Sequence, residues 1–129
     1  MSGASCPCGS GRALEACCGR WHAGEPAPDA ESLMRSRYSA YVLGLEDYLL
    51  ATWHPDTRPA ALELDATPRP HWLGLAVKSR AQLDPTHATV EFVARYKLNG
   101  RAFRLHEVSR FERVDGRWLY VDGEIREER

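Results

Sequence analysis

The sequence lacks any apolar run long enough to cross a membrane. A membrane span needs about 20 consecutive apolar residues, and the first twenty residues here contain Arg12 and Arg20 without the apolar core of a secretory signal. An excess of one charge is also missing, because 17 Lys and Arg residues stand against 18 Asp and Glu residues. This balance argues against nonspecific polyanion binding as the main activity. We expect a globular, cytoplasmic protein with no membrane span.

Known catalytic signatures are absent as well. The chain has no nucleophile elbow, glycine-rich phosphate loop, dinucleotide fingerprint or metalloprotease helix. Four of its five histidines, at positions 54, 71, 87 and 106, are far apart, and spacing fixes no Asp or Cys partner beside them. We therefore predict no catalytic residue, and an enzyme is not the first hypothesis.

Cysteines are few, and all four fall within thirteen residues, at Cys6, Cys8, Cys17 and Cys18. Two close pairs separated by eight residues supply four soft sulfur ligands, the number that a closed tetrahedral site needs. Disulfides are the alternative, but neighbouring cysteines pair only through a strained ring, and cross-pairing needs an oxidising compartment. The pattern predicts a zinc site, with iron compatible with the same ligands and His22 as an alternative to Cys18.

The spacer between the two cysteine pairs predicts how they meet. Gly9 and Gly11 favour a sharp bend, because glycine tolerates positive φ. Ser10 is expected to cap a helical turn over residues 12–16, which would deliver the second pair from its end.

This segment, Cys-Pro-Cys-Gly-Ser-Gly-Arg followed by Cys-Cys, resembles the SEC-C motif. That knuckle lies at the C-terminus of the SecA translocase motor and is appended to other bacterial proteins. Its last ligand is often histidine, so Cys18 stands where either residue occurs. The resemblance implies a structural metal site and, by analogy with docking in the translocase, a protein or ribosome partner.

Helical periodicity follows a connector with two prolines, Pro26 and Pro28. Asp29 is a suitable N-cap, and apolar side chains recur at three- and four-residue steps from position 33 to 52. Gly44 should split this stretch into a helix that ends near Leu43 and a shorter one over residues 46–53. A further helical turn is expected over residues 58–64, and residues 66–70 are expected to form a loop.

Alternation typical of strands dominates the second half. It predicts four strands, over residues 71–78, 88–98, 101–114 and 117–121. Asn99-Gly100 and Asp115-Gly116 are strong signals for two-residue hairpins. We therefore predict an α+β fold, with an N-terminal metal knuckle (1–24) and a domain (25–129) of long helices packed on a curved antiparallel sheet of about four strands.

Several segments together resemble the bacterial YchJ-type proteins. They are residues 33–41, Asp47-Tyr48-Leu49, Thr52-Trp53-His54-Pro55, Glu107-x-Ser109-x-Phe111, and the late run from Gly116 to Gly123. The resemblance implies a SEC-C knuckle followed by a cone-shaped, nuclear-transport-factor-like domain, and it implies no particular activity. Because such cones often pair through the open sheet face, a homodimer is an expectation too.

Polar residues interrupt the inner face of the third strand. Glu107 and Ser109 share this face with apolar side chains, and an isolated buried carboxylate is costly. One interpretation is a cavity with Glu107, Ser109 and Arg35 in its wall, which would bind a small molecule or support acid–base chemistry. The other is a structural ion pair of Glu107 with Arg35 or Arg37 on the first helix.

The outer face of the same hairpin is basic. Residues 95–113 include six Lys or Arg and two Glu. This surface is either a nucleic-acid contact or the solvated side of a sheet with cross-strand ion pairs. Taken together, the sequence predicts a zinc-binding module that interacts with a protein or ribosome; the alternative is a small-molecule binder or enzyme that uses the cavity around Glu107.

Overall fold

The computed structural model describes residues 5–62, 64 and 69–126. A short 3-10 helix, Leu14–Ala16, precedes three α-helices: α1 (Cys18–His22), α2 (Ala30–Leu43) and α3 (Glu46–Ala51). Four strands follow: β1 (His71–Asp84), β2 (His87–Leu98), β3 (Arg101–Val114) and β4 (Arg117–Ile125). Among the described residues, no helix is long and apolar enough to cross a membrane.

The break between α2 and α3 lies where the sequence predicts it. The Ser32 amide donates to the Asp29 carboxylate at 2.7 Å, so Asp29 caps α2. Gly44 ends the helix with a φ of 76°, in the left-handed region that glycine adopts without strain. The prediction of long helices was not borne out, because α2 has 14 residues and α3 has six.

The early end of α3 has a non-local cause. Beyond Ala51 the chain bonds to β4 instead of continuing the helix: the Tyr120 amide donates to the Thr52 carbonyl at 2.8 Å, and the His54 amide donates to the Tyr120 carbonyl at 2.7 Å. The helical turn expected after Pro55 is absent from the described residues 58–62. The loop expected at 66–70 lies largely outside the described residues.

The strands form one antiparallel sheet in the order β1-β2-β3-β4. Both predicted hairpins are present, with positive φ at Asn99, Gly100, Asp115 and Gly116, as a two-residue turn of this kind requires. β1 and β4 are longer than predicted, because pairing with β2 and β3 continues to Asp84 and Ile125.

Irregular pairing curves the sheet around α2. The register shifts three times between β1 and β2 and once between β3 and β4, at Arg110 and Phe111. Such bulges bend a strand and increase its twist. The resulting concave face packs on α2 in a core that also contains the four cysteines. The boundary at residue 24 stays a prediction, and the knuckle and the sheet share this core.

Candidate metal centre and ligand cavity

The four cysteine sulfurs converge on one point. Their Sγ atoms all lie within 4.8 Å of one another, and each residue is at most 4% exposed. The Sγ atoms of Cys8 and Cys17 are 3.7 Å apart. Sulfurs at about 2.3 Å from a tetrahedral zinc ion would be about 3.8 Å apart. The cluster therefore has the donor set and approximately the size that a metal ion needs.

A tight hairpin brings the first pair of sulfurs to the second. The Cys6 amide donates to the Arg12 carbonyl at 2.9 Å, and the Gly9 amide donates to the Cys6 carbonyl at 3.3 Å. Gly9 and Gly11 have φ values of 82° and 84°, which is the bend that the two glycines predicted.

The predicted cap by Ser10 was wrong. The 3-10 helix has Ala13 at its N-cap and no capping side chain. Instead, the Ser10 hydroxyl accepts a hydrogen bond from the Arg12 amide at 3.2 Å and lies 3.1 Å from the Cys17 sulfur. Ser10 therefore contacts a cysteine sulfur instead of capping a helix. A guanidinium nitrogen of Arg12 lies 3.9 Å from the same Cys17 sulfur.

The thiols of Cys8 and Cys18 influence each other strongly. Hydrogen bonding from Cys18, together with Cys6 and Ser10, lowers the pKa of Cys8 to about 4 against the opposing effect of burial. The same contact with Cys8, together with burial, raises the pKa of Cys18. The contact between Cys8 and Cys18 therefore favours one negative charge on the pair over two. A bound cation would supply the positive charge that lets all four thiols ionise together.

Two residues considered for these sites lie elsewhere. His22 Nε2 is 2.9 Å from the Ser36 carbonyl oxygen, and its ring packs edge-on against Tyr48, so Cys18 and not His22 completes the cluster. Arg35 was expected at the cavity; it donates instead to the Cys8 carbonyl at 2.9 Å and to a neighbouring glutamate. Arg35 therefore ties α2 to the knuckle.

A cavity of about 290 Å³ lies between α2 and the concave sheet face. Its wall is mostly aromatic and apolar and contains Met34, Arg37, Tyr38, Tyr41, Trp53, Trp72, Phe92, Ala94, Leu105, Glu107, Ser109, Phe111 and Tyr120. This volume is at the lower end of the range of roughly 300–1,000 Å³ for small-molecule sites. The cavity has room for one small ring system.

Glu107 and Ser109 both line this cavity. One carboxylate oxygen of Glu107, Oε2, accepts hydrogen bonds from the Ser109 hydroxyl at 2.6 Å and from the Tyr120 hydroxyl at 3.3 Å. Burial, reinforced by the nearby Glu107 charge, raises the pKa of Tyr120, so its hydroxyl stays a neutral donor. The carboxylate is thus held by two hydroxyl groups.

Gly123 on β4 makes room for this carboxylate. A Cβ at position 123 would overlap the Glu107 carboxyl group and lie 2.9 Å from its Cγ. Sequence reasoning missed Gly123, because its pairing with Ser109, two residues from Glu107, depends on a register shift between β3 and β4.

Arg37, which the sequence offered only as an alternative partner of Glu107, lies in the cavity wall. Its side chain donates to the Leu49 carbonyl at 2.8 Å and to the Thr52 hydroxyl at 2.7 Å. The guanidinium also lies 4.9 Å from the Trp53 ring centroid and 4.6 Å from that of Tyr120. Within the described residues no carboxylate comes within 4.0 Å of Arg37, so the expected ion pair with Glu107 does not form.

The basic outer face carries ion pairs. Arg110 pairs with Asp122 at 2.6 Å, and His106 Nε2 lies 2.6 Å from a Glu91 carboxylate oxygen. These contacts agree with the interpretation as a solvated sheet face. Nucleic-acid contact stays a prediction.

Comparison with protein families gives two matches. Residues 4–20 match the model of the SEC-C motif, and residues 29–123 match the model described as YchJ, middle NTF2-like domain. The relatives include UPF0225 proteins. That of Bordetella parapertussis is 64% identical over 128 residues, which cover 97% of this chain and 96% of that protein. That of Cupriavidus metallidurans is 62% identical over 131 residues, which cover 96% of this chain and 91% of that protein.

Solved structures resemble the whole chain. A solution structure of a SEC-C motif containing protein from Rhodopseudomonas palustris has a TM-score of 0.83 at 34% identity, with 98% of this chain and 100% of that chain covered. A crystal structure of a SEC-C motif containing protein from Psychrobacter arcticus has a TM-score of 0.79 at 29% identity, with 96% and 84% covered.

Proposed function

The chain belongs to the UPF0225 family, with a SEC-C motif ahead of a YchJ-type NTF2-like domain, and from this premise we propose that it is a zinc-stabilised protein that binds a small molecule in its cavity. The observation that carries the proposal is the aromatic cavity with one carboxylate held by two hydroxyl groups, beside a four-sulfur cluster.

Zinc is the metal that the cluster suits best. Cys6, Cys8, Cys17 and Cys18 would be its ligands, and four buried thiolates leave no position open for a substrate, so the metal would be structural. Iron is the alternative, because it accepts the same ligands. Elemental analysis of the purified protein should find one zinc per chain.

A variant and a matched control test this assignment. Cys8→Ser should lose most of the metal, whereas Ser79→Ala, on the outer surface of β1, should keep it. Iron in place of zinc, or full zinc content in Cys8→Ser, would contradict the proposal.

The cavity can be tested with Glu107. A thermal-shift screen of small ring compounds should find ligands that raise the melting temperature of the wild type and act less on Glu107→Gln. Glu124→Gln is the matched control, because the side chain of Glu124 on β4 is 65% exposed. Equal shifts in all three proteins, or no shift with any compound, would count against a ligand site at Glu107.

Docking through the knuckle is the second candidate function. The sulfurs are buried, whereas Ser10, Gly11 and Arg12 are exposed and could contact a protein or ribosome. In a sucrose gradient at low salt, the wild type should travel with ribosomes, and Arg12→Gln should stay at the top. The zinc content of Arg12→Gln is measured alongside, because Arg12 also approaches the Cys17 sulfur. If the wild-type protein stays at the top of the gradient, the ribosome is not its partner.

A further inference from the structure

Among the described residues no carboxylate lies within 4.0 Å of Arg37, and the Glu107 charge acts on it only from a longer distance. Arg37 is 6% exposed, and in the described part of the chain its hydrogen-bond acceptors are neutral oxygens of Leu49 and Thr52. A buried charge is costly unless it is paired, and burial accordingly lowers the pKa of this guanidinium. A positive side chain in a cavity wall without a carboxylate at contact distance indicates that an anionic group completes the site.

The donors that remain on Arg37 suit a carboxylate. Both protein acceptors are bonded to Nη1, so the N–H groups of Nε and Nη2 are left, and these form the fork that grips a carboxylate with two parallel hydrogen bonds. Trp53 also lines the cavity, and its buried Nε1 has no hydrogen-bond partner among the described residues. The indole is a second unused donor beside the same guanidinium.

The aromatic wall is not arranged for a cation. Carboxylates and ring faces together can bind an ammonium group, but here the faces of Trp53 and Tyr120 are already covered by Arg37. The remaining rings, such as Tyr41 and Trp72, offer apolar surface on which a planar ring can pack.

Glu107 lies at a second point of the cavity wall, and it needs a hydrogen-bond donor on the ligand where Arg37 needs an anion. Its carboxylate accepts hydrogen bonds only, and Oε2 already takes those of Ser109 and Tyr120. Tyr120 separates the two charges, because its ring face meets Arg37 and its hydroxyl meets Glu107. A ligand that spans both points needs an anionic end and a hydrogen-bond donor at the other end.

We propose that the cavity binds a small aromatic carboxylic acid that carries a hydroxyl or amino group opposite the carboxylate, with the carboxylate on Arg37 and the donor on Glu107. This inference rests on the proposed ligand-binding function and names the class of ligand. The cavity volume of about 290 Å³ limits the ligand to a single ring system.

Three para-substituted phenols of similar size and different charge test the proposal: 4-hydroxybenzoate, 4-hydroxybenzamide and 4-hydroxybenzylamine. Each is titrated into the ¹⁵N-labelled, metal-loaded protein, and the indole N–H signal of Trp53, assigned with Trp53→Phe, reports binding in the cavity. The benzoate should bind about tenfold or more tightly than the amide, as expected for charge-assisted hydrogen bonds, and the amine should bind most weakly.

Two variants locate the contacts. Arg37→Met should abolish the preference for 4-hydroxybenzoate over 4-hydroxybenzamide. Glu107→Gln should reduce the preference for 4-hydroxybenzoate over unsubstituted benzoate, which is titrated as a fourth compound. Should Arg37→Met fail to fold, the wild-type series and Glu107→Gln still decide the matter. An amide or amine that binds as tightly as the benzoate, with the Trp53 signal shifting, overturns this inference and leaves the ligand-binding function standing. Absence of binding by all three compounds overturns the inference, and a thermal-shift screen that is negative as well overturns the function.

Discussion

Gly123 shows how one missing side chain can shape a site. The position lies in β4, where glycine normally weakens a strand. Here the absence of a Cβ lets the Glu107 side chain lie across β4 and reach Ser109 and Tyr120. The glycine is therefore a requirement of the cavity, and its φ is not in the left-handed region.

Gly123→Ala should lower the free energy of unfolding by about 1–3 kcal/mol, the usual cost of inserting a methyl group into packed structure. Gly74→Ala is the control, because a Cβ there would meet nothing within 4 Å. Urea unfolding measures both variants. In a Glu107→Ala background the penalty at position 123 should largely disappear. A penalty that stays the same there would show that Glu107 is not its cause.

Ser10 is the other residue whose role is set by a single contact. Its hydroxyl lies 3.1 Å from the Cys17 sulfur. Outer hydrogen bonds to a metal ligand are commonly worth about 10–100-fold in metal affinity. We expect Ser10→Ala to bind zinc more weakly by this factor while it keeps the same stoichiometry. Competition with a chromogenic chelator measures the affinity, with Ser79→Ala as control, and equal affinities would show that the hydroxyl does not matter to the metal.

At the scale of elements, the start of α2 depends on one cap. The Asp29 carboxylate accepts the Ser32 amide at 2.7 Å, and α2 carries Arg35 and Arg37 to the two sites. Asp29→Ala should therefore cost about 0.5–2 kcal/mol of stability. Asp47→Ala, in the first turn of the uncapped α3, should cost only a few tenths. Thermal unfolding compares the two, and a larger loss for Asp47→Ala would contradict the assignment of the cap.

Asp84 in the β1–β2 turn should make the stability of the folded protein depend on pH. The Thr86 amide donates to the Asp84 carboxylate at 2.8 Å, and His87 lies beside it at 2.9 Å, so the pKa of Asp84 is lowered in the folded protein. Because the pKa of Asp84 is lower in the folded than in the unfolded protein, the contribution of Asp84 to stability is fully present above the unfolded pKa of about 3.9. It is lost as pH falls through the folded pKa. A ¹³C-detected titration should find the Asp84 pKa below the value of about 3.9 for an unperturbed aspartate. A value at or above it would contradict the turn geometry.

Local signals in the sequence predicted much of the local structure, although the cap expected from Ser10 and the helical turn expected after Pro55 were wrong. The cysteine spacing, the cap at Asp29, the break at Gly44 and both hairpins depend on residues close in the chain, and all are seen in the structure. Residues that depend on distant partners were harder. Arg35 and Arg37 are two positions apart on α2 and so face different directions, and periodicity does not say which one meets the sheet. The early end of α3 and the fit of Gly123 likewise come from β4, which is far away in sequence.

At the scale of the whole molecule, the knuckle is attached to the cone by direct contacts. Arg35 donates to the Cys8 carbonyl, and the Cys6 sulfur lies 3.4 Å from the Ser39 hydroxyl on the same helix. The cysteines also belong to the core that α2 and the sheet form. The cysteine cluster thus contributes to the support of α2.

Removal of the zinc that we propose at this cluster should therefore destabilise the entire chain. We expect a chelator to lower the melting temperature, followed by circular dichroism, with a single transition that includes the strands, because structural zinc contributes directly to folding free energy. Excess zinc should restore the original value, and magnesium serves as the control ion. A cone that melts at an unchanged temperature would show that the knuckle folds separately.

Helix α2 is a common wall between two compartments. On one side Ser39 contacts the Cys6 sulfur and Arg35 donates to the Cys8 carbonyl. On the other side Arg37 and Tyr41 line the cavity. If metal binding shifts α2, the affinity of the cavity for its ligand changes. Thermodynamic linkage then requires that ligand binding change the affinity of the cluster for the metal by the same factor. A ligand that binds the metal-loaded form more tightly must therefore also slow the dissociation of the metal ion or speed its association. The metal ion and the ligand would each strengthen the binding of the other.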